Sequence, residues 1–386
     1  MQLMNQKIPK TPRILFLFSD TGGGHRSAAE AIIEALHLDF GGSFSTEMVD
    51  IFKEYAPAPL NHAPAWYPRM VRVPQAWGLG YYLSDGHTRA RLIARTTWPY
   101  VRHSARQLVE NHPCEVVVAV HPLAIAPVLH VLKRKAPRPP FITVVTDLVT
   151  GHAMWYHPGV DLCIVPTEAS RQRALSCGLR PDRVKVIGLP VANRFCQPPA
   201  NRVALRARLG WLQDLPVVVL VGGGEGMGPL KKTALAIANA GLPIALAIIA
   251  GRNQELKKSL EAISWPVPTW IYGFVREMPE FMQAADVLVT KAGPGTVSEA
   301  LNAGLPMILY SRVPGQEDGN VDYVVSEGAG VWAPVPHLIV SALRDWISNP
   351  ENRSRAVDAC RRLARPQAAR QIARLLAAYA GVTVTP

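Results

Sequence analysis

Long apolar runs, paired cysteines and acidic residues are all scarce in this sequence of 386 residues. No segment approaches the ~20 apolar residues that a membrane-spanning helix needs. The five cysteines form no CxxC pair and no zinc spacing, which excludes a disulfide framework and a zinc finger. The first 13 residues carry three basic side chains but no apolar core, unlike a secretory signal. We expect a reduced chain in the cytoplasm, where any contact with the cytoplasmic side of a membrane must be peripheral.

Acidic residues are outnumbered by basic ones, 29 against 41, which gives a net charge of +12. Such an excess favours anionic partners: nucleic acid, an acidic membrane surface or phosphorylated ligands. Residues 66–106 hold seven arginines, one acidic residue and seven Trp or Tyr side chains. This mixture is typical of a membrane interface, but it also occurs where single-stranded nucleic acid binds and on solvated helix faces. The candidate membrane contacts in this segment are Trp66, Arg69, Arg72, Trp77 and Tyr81.

Short runs rich in Val and Ile alternate with helical patterns and predict parallel strands that are covered on both faces. The predicted strands are residues 14–18, 116–120, 141–146, 162–165, 184–187, 217–221, 244–249, 269–272, 287–290 and 307–310. A proline-containing break near residues 197–201 indicates two doubly wound α/β domains, residues 1–198 and 199–350, with a ligand cleft between them. Residues 351–386 predict a helical segment, broken near Pro366, that can pack back on the first domain.

Residues 20–26, with the sequence DTGGGHR, follow the first predicted strand and precede a helix. Glycines at such a turn let the backbone approach a ligand, and a helix N-terminus favours anions. His25 can act there as a general base, or it can be a solvent-facing side chain on a tight turn. Gly24 and His25 are therefore candidate site residues.

Two more glycine-rich turns follow strands in the second half. Residues 222–229, GGGEGMGP, lack the GxGxxG spacing of a dinucleotide fingerprint, which disfavours a dehydrogenase but allows a phosphate contact. Residues 291–300, KAGPGTVSEA, offer backbone amides at two glycines, a threonine hydroxyl and a lysine. Glu299 is expected on the first turn of the next helix, where it can accept hydrogen bonds from a ribose or cap the helix.

Further candidate site residues follow three other strands. Gln316 and Glu317 can bind sugar hydroxyls, which need both donors and acceptors, or they can cap the next helix. Phe274 follows another strand, where the backbone can contact a pyrimidine edge. Asp147 ends a strand of the first half and can orient a base or cap a turn.

Six of these motifs occur in the order found in one enzyme family. They are DTGGGHR (20–26), VTDL (145–148), GLPV (188–191), GGGEGMGP (222–229), KAGPGT (291–296) and GQExGN (315–320). Together they closely resemble the motifs of monogalactosyldiacylglycerol synthases of glycosyltransferase family 28. The similarity extends from about residue 14 to about residue 332.

The resemblance implies a GT-B fold, in which a diacylglycerol-binding domain faces a UDP-sugar-binding domain. It implies inverting transfer of galactose from UDP-galactose to diacylglycerol at an anionic membrane surface, without an obligatory metal or cofactor and with activation by anionic lipid as an option. His25 would be the catalytic base, and Asp147, from its place at a strand end, is the second catalytic candidate. Trp155 matches a tryptophan tied to the phosphatidic acid response in plant members, although its surroundings differ.

The resemblance also distributes the donor-binding residues by subsite. Gly293, Gly295 and Thr296 would line the diphosphate with Lys291, Glu299 would bind the ribose, and Phe274 and Val275 would contact the uracil. The hexose or the adjoining phosphate would be held by Gln316, Glu317 and Asn320. The remaining candidates are Gly24, Gly223, Gly224, Glu225 and Arg252.

Three alternatives stay open. A diacylglycerol glucosyltransferase that uses UDP-glucose would keep the same fold and motifs. A protein that binds a nucleotide sugar or anionic lipid without turnover is the second. Nucleic-acid binding through residues 66–106 would leave the glycine motifs unexplained, so no nucleic-acid partner is expected.

Overall fold

A computed structural model describes residues 11–70, 74–224, 226 and 228–382. Within them the chain forms two six-stranded sheets in which every strand pair is parallel. The strands of the first sheet are β1 (Arg13–Phe18), β2 (Ser45–Asp50), β3 (Val116–Ala119), β4 (Phe141–Val144), β5 (Leu162–Val165) and β6 (Val184–Val186). The strands of the second sheet are β7 (Val217–Val221), β8 (Ala245–Ile249), β9 (Thr269–Tyr272), β10 (Val287–Lys291), β11 (Met307–Ser311) and β12 (Gly330–Trp332).

Helices cover both sheets. They are α1 (Gly24–Phe40), α2 (Ala63–Met70), α3 (Pro74–Ser84), α4 (His87–Asn111), α5 (Pro122–Leu132), α6 (Glu168–Ser176), α7 (Arg202–Leu209), α8 (Leu230–Ala238), α9 (Gln254–Glu261), α10 (Met278–Ala284), α11 (Pro294–Ala303), α12 (Asp318–Ser326), α13 (Pro336–Ser348), α14 (Pro350–Leu363) and α15 (Ala368–Tyr379). None of these helices, the 25-residue α4 included, combines the length and apolarity needed to traverse a bilayer.

The order of the strands places the loops that matter for a ligand site. The first sheet runs β2-β1-β3-β4-β5-β6, and the second runs β12-β11-β10-β7-β8-β9. The second order is that of a Rossmann fold, in which ligands bind beyond the carboxyl ends of the strands. A hydrogen bond from Gln316 Nε2, after β11, to Asp147 Oδ1, after β4, spans 3.2 Å. The strand ends of the two sheets therefore face each other across a cleft.

All ten predicted strands are present, and two edge strands were not predicted. β2 carries the sequence STEMVD, of which only the last two residues are buried, so it lacks the continuous apolar run of a central strand. β12 is three residues long and begins with glycine. Edge strands are covered less completely, so their sequences resemble those of loops.

The last helix of the chain, α15, belongs to the core of the first sheet. Ile372 and Leu376 are fully buried in one apolar cluster with Phe16 of β1 and Ile32 of α1. The carboxylate of Asp39 in α1 forms ion pairs with two arginines of α15, at 3.6 and 3.4 Å. The chain thus crosses to the second sheet near residue 200 and returns to the first at its end.

Candidate active site

The turn before α1 is fixed by a charged pair and by two glycines. Arg26 donates to both carboxylate oxygens of Asp20, at 2.7 and 3.0 Å, and this pairing lowers the pKa of Asp20 to about 2. Gly22 and Gly23 have φ angles of 74° and 29°, which other residues rarely adopt. The turn therefore places His25, the second residue of α1, at the carboxyl end of β1.

His25 lies in an apolar setting with few hydrogen bonds. Its Nδ1 is 2.9 Å from the hydroxyl of Thr146, and its ring meets the indole of Trp155 at a centroid distance of 6.0 Å. Burial lowers the pKa of His25 to about 4, against the opposing effect of the Val120 carbonyl. The imidazole is therefore neutral at pH 7 and is able to accept a proton.

A second histidine packs against the first. The rings of His25 and His121 meet edge to face at 4.7 Å. His121 Nδ1 accepts from the amide of Leu123 at 3.3 Å, so its Nε2 carries the proton and donates to the Thr21 hydroxyl at 3.1 Å. Burial, and then the neighbouring His25, hold the pKa of His121 well below its usual value. Two neutral imidazoles thus share one wall of the site.

Asp147 does not orient His25, which corrects the sequence-based expectation. Its carboxylate accepts from Trp155 Nε1 at 2.6 Å and from Gln316 Nε2 at 3.2 Å, and none of the hydrogen bonds in the described part of the chain joins it to His25. Burial raises the pKa of Asp147 to about 6, and these two hydrogen bonds oppose the rise. Asp147 therefore links a buried indole of the first sheet to the loop that follows β11 of the second sheet.

A cavity of about 660 Å³ opens beside His25. Its lining is mostly apolar and includes Phe52, Trp77 and Tyr81 from the first half, with Gln316 from the second. An apolar cavity with a neutral imidazole in its wall suits the hydroxyl end of a lipid better than a charged acceptor.

The candidate membrane contacts divide into four groups. Trp77 and Tyr81 line this cavity, while Trp66 on α2 is 39% exposed. Trp155 is fully buried and cannot reach a membrane, because its indole fills the core behind His25. The side chain of Arg69 and the whole of Arg72 lie outside the described part of the chain.

On the donor side, Lys291 lies between two glycine turns. A Cβ on Gly293 would come within 3.0 Å of Lys291 Nζ, and one on Gly223 within 3.5 Å of Lys291 Cε. The ammonium group is paired with Glu317 Oε1 at 2.5 Å. The lysine side chain therefore lies against both glycine turns, closest to Gly293.

Glu317 and Asn320 are buried at the back of the cleft, and their assignment as contacts of the hexose or the adjoining phosphate stays a prediction. Glu317 is 4% exposed, and its second oxygen accepts from the Val313 amide at 2.8 Å. Asn320 is fully buried, and its Nδ2 donates to the Ala292 carbonyl at 2.8 Å. Because α12 begins at Asp318, both side chains point inward. They stabilise the turn at Lys291 through their hydrogen bonds to it and to the Ala292 carbonyl.

Glu299 lies on the second turn of α11, not the first, because the helix already begins at Pro294. It therefore does not cap the helix N-terminus, where Gly295 and Thr296 lie. Burial raises the pKa of Glu299 to about 7, and Arg194 opposes this rise. A partly protonated carboxyl group can both donate to and accept from a diol.

Phe274 and Arg252 form a platform beside the second glycine turn. The guanidinium of Arg252 lies 4.4 Å from the centre of the Phe274 ring, which is 52% exposed. The Arg252 amide donates to the Gly224 carbonyl at 2.8 Å, whereas Val275 packs into the core of the second sheet. Glu225 lies outside the described residues. An exposed aromatic face beside a glycine turn can stack on a flat base.

Three residues of the site, Thr146, His121 and Phe52, were not predicted from the sequence. Thr146 and His121 lie at the carboxyl ends of strands, and this position could have identified them as site residues. Phe52 packs edge to face on His121 at 5.5 Å, but it follows the unpredicted strand β2, so nothing in the sequence marked it.

Two facing Rossmann-like sheets, with a half-buried histidine on one side of the cleft and glycine turns on the other, define a GT-B fold. Solved structures share this fold. MurG of Acinetobacter baumannii matches with a TM-score of 0.59 and 14% identity, over 94% of this chain and 99% of that protein. Anabaena HepE in complex with UDP-glucose matches with a TM-score of 0.54 and 15% identity, over 95% and 100%.

Sequence comparison identifies the family. Residues 25–191 match the profile described as monogalactosyldiacylglycerol (MGDG) synthase, and residues 217–372 match the glycosyltransferase family 28 C-terminal domain. Monogalactosyldiacylglycerol synthase 2 of Arabidopsis thaliana is 39% identical over 379 residues, 95% of this chain and 81% of the relative. A probable monogalactosyldiacylglycerol synthase 2 of Oryza sativa subsp. japonica is 38% identical over 94% and 80%. The chain belongs to the monogalactosyldiacylglycerol synthase family.

Proposed function

We propose that this protein transfers galactose from UDP-galactose to the free hydroxyl of 1,2-diacylglycerol, forming β-monogalactosyldiacylglycerol at a membrane surface. The observation that carries the proposal is the shared cavity. His25 from the first sheet and Gln316 from the second line the same mostly apolar space. A lipid hydroxyl and a sugar donor can therefore meet there.

In this proposal His25 removes the proton of the lipid hydroxyl as its oxygen attacks C1 of galactose. The bond from C1 to the UDP oxygen breaks, its electron pair leaves with UDP, and the configuration at C1 inverts. General-base assistance of this kind contributes about 10²–10⁴-fold. A bound anionic diphosphate favours the protonated imidazole, so we expect donor binding to raise the pKa of His25 towards neutrality.

The leaving UDP is negatively charged, and three features of the second half can stabilise it. The first turn of α11 offers free backbone amides at a helix N-terminus, which favours an anion. Lys291 adds a positive charge, and the Phe274 ring offers a surface for the uracil. We therefore propose transfer without an obligatory metal ion, and we expect turnover to persist in EDTA.

The test is a thin-layer assay of the purified chain with diacylglycerol in phosphatidylglycerol-containing vesicles. One arm contains UDP-galactose, one contains UDP-glucose, and each is run with and without EDTA. A galactolipid product in the first arm supports the proposal. A product from UDP-glucose alone would replace galactose by glucose, and no product with either donor would indicate a binding protein without turnover.

A further inference from the structure

One helix of the first half, α3, lies at the edge of the cleft and presents three different surfaces. Trp77 and Tyr81 line the cavity beside His25. Leu79 and Leu83, on another side, are 61% and 65% exposed. The third surface touches the loop between β11 and α12, residues 312–317, which we call the donor loop because it carries Gln316.

Three contacts join α3 to the donor loop and the residue after it. They pair Gly78 with Pro314, Tyr81 with Gly315, and Tyr82 with Asp318. The packing is close: a Cβ on Gly315 would lie 2.6 Å from Tyr81 Cδ1. The Tyr82 hydroxyl donates to the Asp318 carboxylate, which in turn accepts from the Gly315 amide at 2.8 Å. The position of α3 therefore bears directly on the position of the donor loop.

Helix α4 follows α3 in the chain and exposes several arginines. Arg89 Nη1 donates to the carbonyls of Tyr82 and Asp85, both at 2.9 Å, and so ties the two helices together. Leu92 of α4 is 60% exposed, and Glu110 is the one acidic residue of that helix. The exposed arginines of α4 are Arg89, Arg91, Arg95, Arg102 and Arg106. Exposed leucines bordered by arginines fit an anionic lipid bilayer, which accepts both.

Burial in a core does not fix α3. Between residues 75 and 84 only Gly78 is buried. Elements with few buried contacts have low local stability and move at little cost. Binding of a lipid surface to Leu79 and Leu83 can therefore change the position of α3. The donor loop, which contacts α3, changes its position with it.

We propose that α3 couples the membrane to the sugar-donor site. An anionic bilayer binds its leucines together with the arginines of α4, and the same helix then holds the donor loop in the arrangement that binds UDP-sugar. This inference rests on the proposed function for the nature of the two ligands. Linkage makes the coupling reciprocal, so lipid must tighten UDP binding by the factor by which UDP tightens lipid binding.

The experiment measures the affinity of the full chain for UDP by titration calorimetry, without diacylglycerol and therefore without turnover. It is done in buffer, with phosphatidylcholine vesicles and with phosphatidylglycerol vesicles. We expect phosphatidylglycerol vesicles to tighten UDP binding by about fivefold or more. Tyr82→Phe keeps the ring but loses the hydrogen bond to Asp318, so it should bind vesicles normally and lose most of this gain. Tyr379→Phe, at an exposed tyrosine of α15, is the matched control and should keep it.

A double variant, Leu79→Ser with Leu83→Ser, should bind UDP normally in buffer but respond weakly to vesicles. Equal UDP affinity of the unaltered chain with and without phosphatidylglycerol vesicles would overturn the coupling. A full gain in Tyr82→Phe would overturn the assigned contact. Failure of the proposed function would appear instead as missing product in the transfer assay, because this comparison needs no acceptor.

Discussion

At the scale of single residues, burial shifts the pKa values of two groups in the cavity wall, His25 and Asp147, in opposite directions. It lowers the pKa of His25 to about 4 and raises that of Asp147 to about 6. The cause is the same, because an apolar setting disfavours the charged form of either group. The imidazole is thus ready to accept a proton, while the carboxyl group titrates just below neutral pH.

Replacing His25 separates catalysis from donor binding. We expect His25→Ala to lower kcat by at least about 10²-fold, because the lipid hydroxyl then has no base. UDP affinity should stay close to that of the unaltered chain, since the donor residues lie on the second sheet. Steady-state assays and UDP titration measure the two quantities. His37→Ala, at an exposed position of the same helix, is the control; a near-normal kcat in His25→Ala would refute the assignment.

The Asp147 carboxylate gives the reaction a pH dependence of its own. Above its pKa of about 6 the ionised group accepts hydrogen bonds from both Trp155 and Gln316, and below it the protonated group holds Gln316 less well. His25 is still neutral in that range, because its pKa is lower. We therefore expect kcat/KM to fall by up to about tenfold per pH unit as the pH drops below about 6.

Asp147→Asn supplies the control for this pH profile. Asparagine does not titrate, so the variant should be slower at neutral pH and should lack the decline near pH 6. A decline that persists in the variant would assign it to another group. A flat profile in the unaltered chain would show that protonation of Asp147 does not influence the reaction.

At the scale of elements, glycines set how closely the donor turns approach one another. Gly251 follows β8 with a φ of 62°, and a Cβ there would lie 2.3 Å from the Gly224 carbonyl oxygen. Gly241 has a nearly equal φ of 64°, but a Cβ at that position would have no other atom within 4 Å. Both positions therefore impose the same backbone strain on alanine, and only Gly251 also touches the site.

This pair of glycines gives a matched test. Each alanine variant should lose about 1–2 kcal/mol of stability from the left-handed backbone. Gly251→Ala should in addition weaken UDP binding, because the new methyl group displaces the Gly223–Gly224 turn. Urea unfolding and UDP titration measure the two effects. Equal UDP affinity in both variants would show that this turn does not bind the nucleotide.

At the scale of the whole molecule, the sequence predicted the two sheets and the strand ends that form the cleft. Continuous apolar runs mark covered parallel strands, and residues such as His25 and Gln316 follow such runs directly. The sequence did not predict which side chains pair across the fold. Lys291 and Glu317 meet, and Trp155 turns inward to Asp147, because tertiary packing joins segments that local patterns treat separately.

The return of α15 to the first sheet makes the two halves dependent on each other. Leu376 is fully buried among residues of β1 and α1, whereas Gln371 on the same helix is exposed. We expect Leu376→Ala to lower the free energy of unfolding by about 2–5 kcal/mol, from lost burial and the cavity left behind. Gln371→Ala should change it by less than about 0.5 kcal/mol. Urea unfolding followed by tryptophan fluorescence measures both. Equal stabilities would mean that α15 is not part of this core, and the first sheet would then keep its stability without the end of the chain.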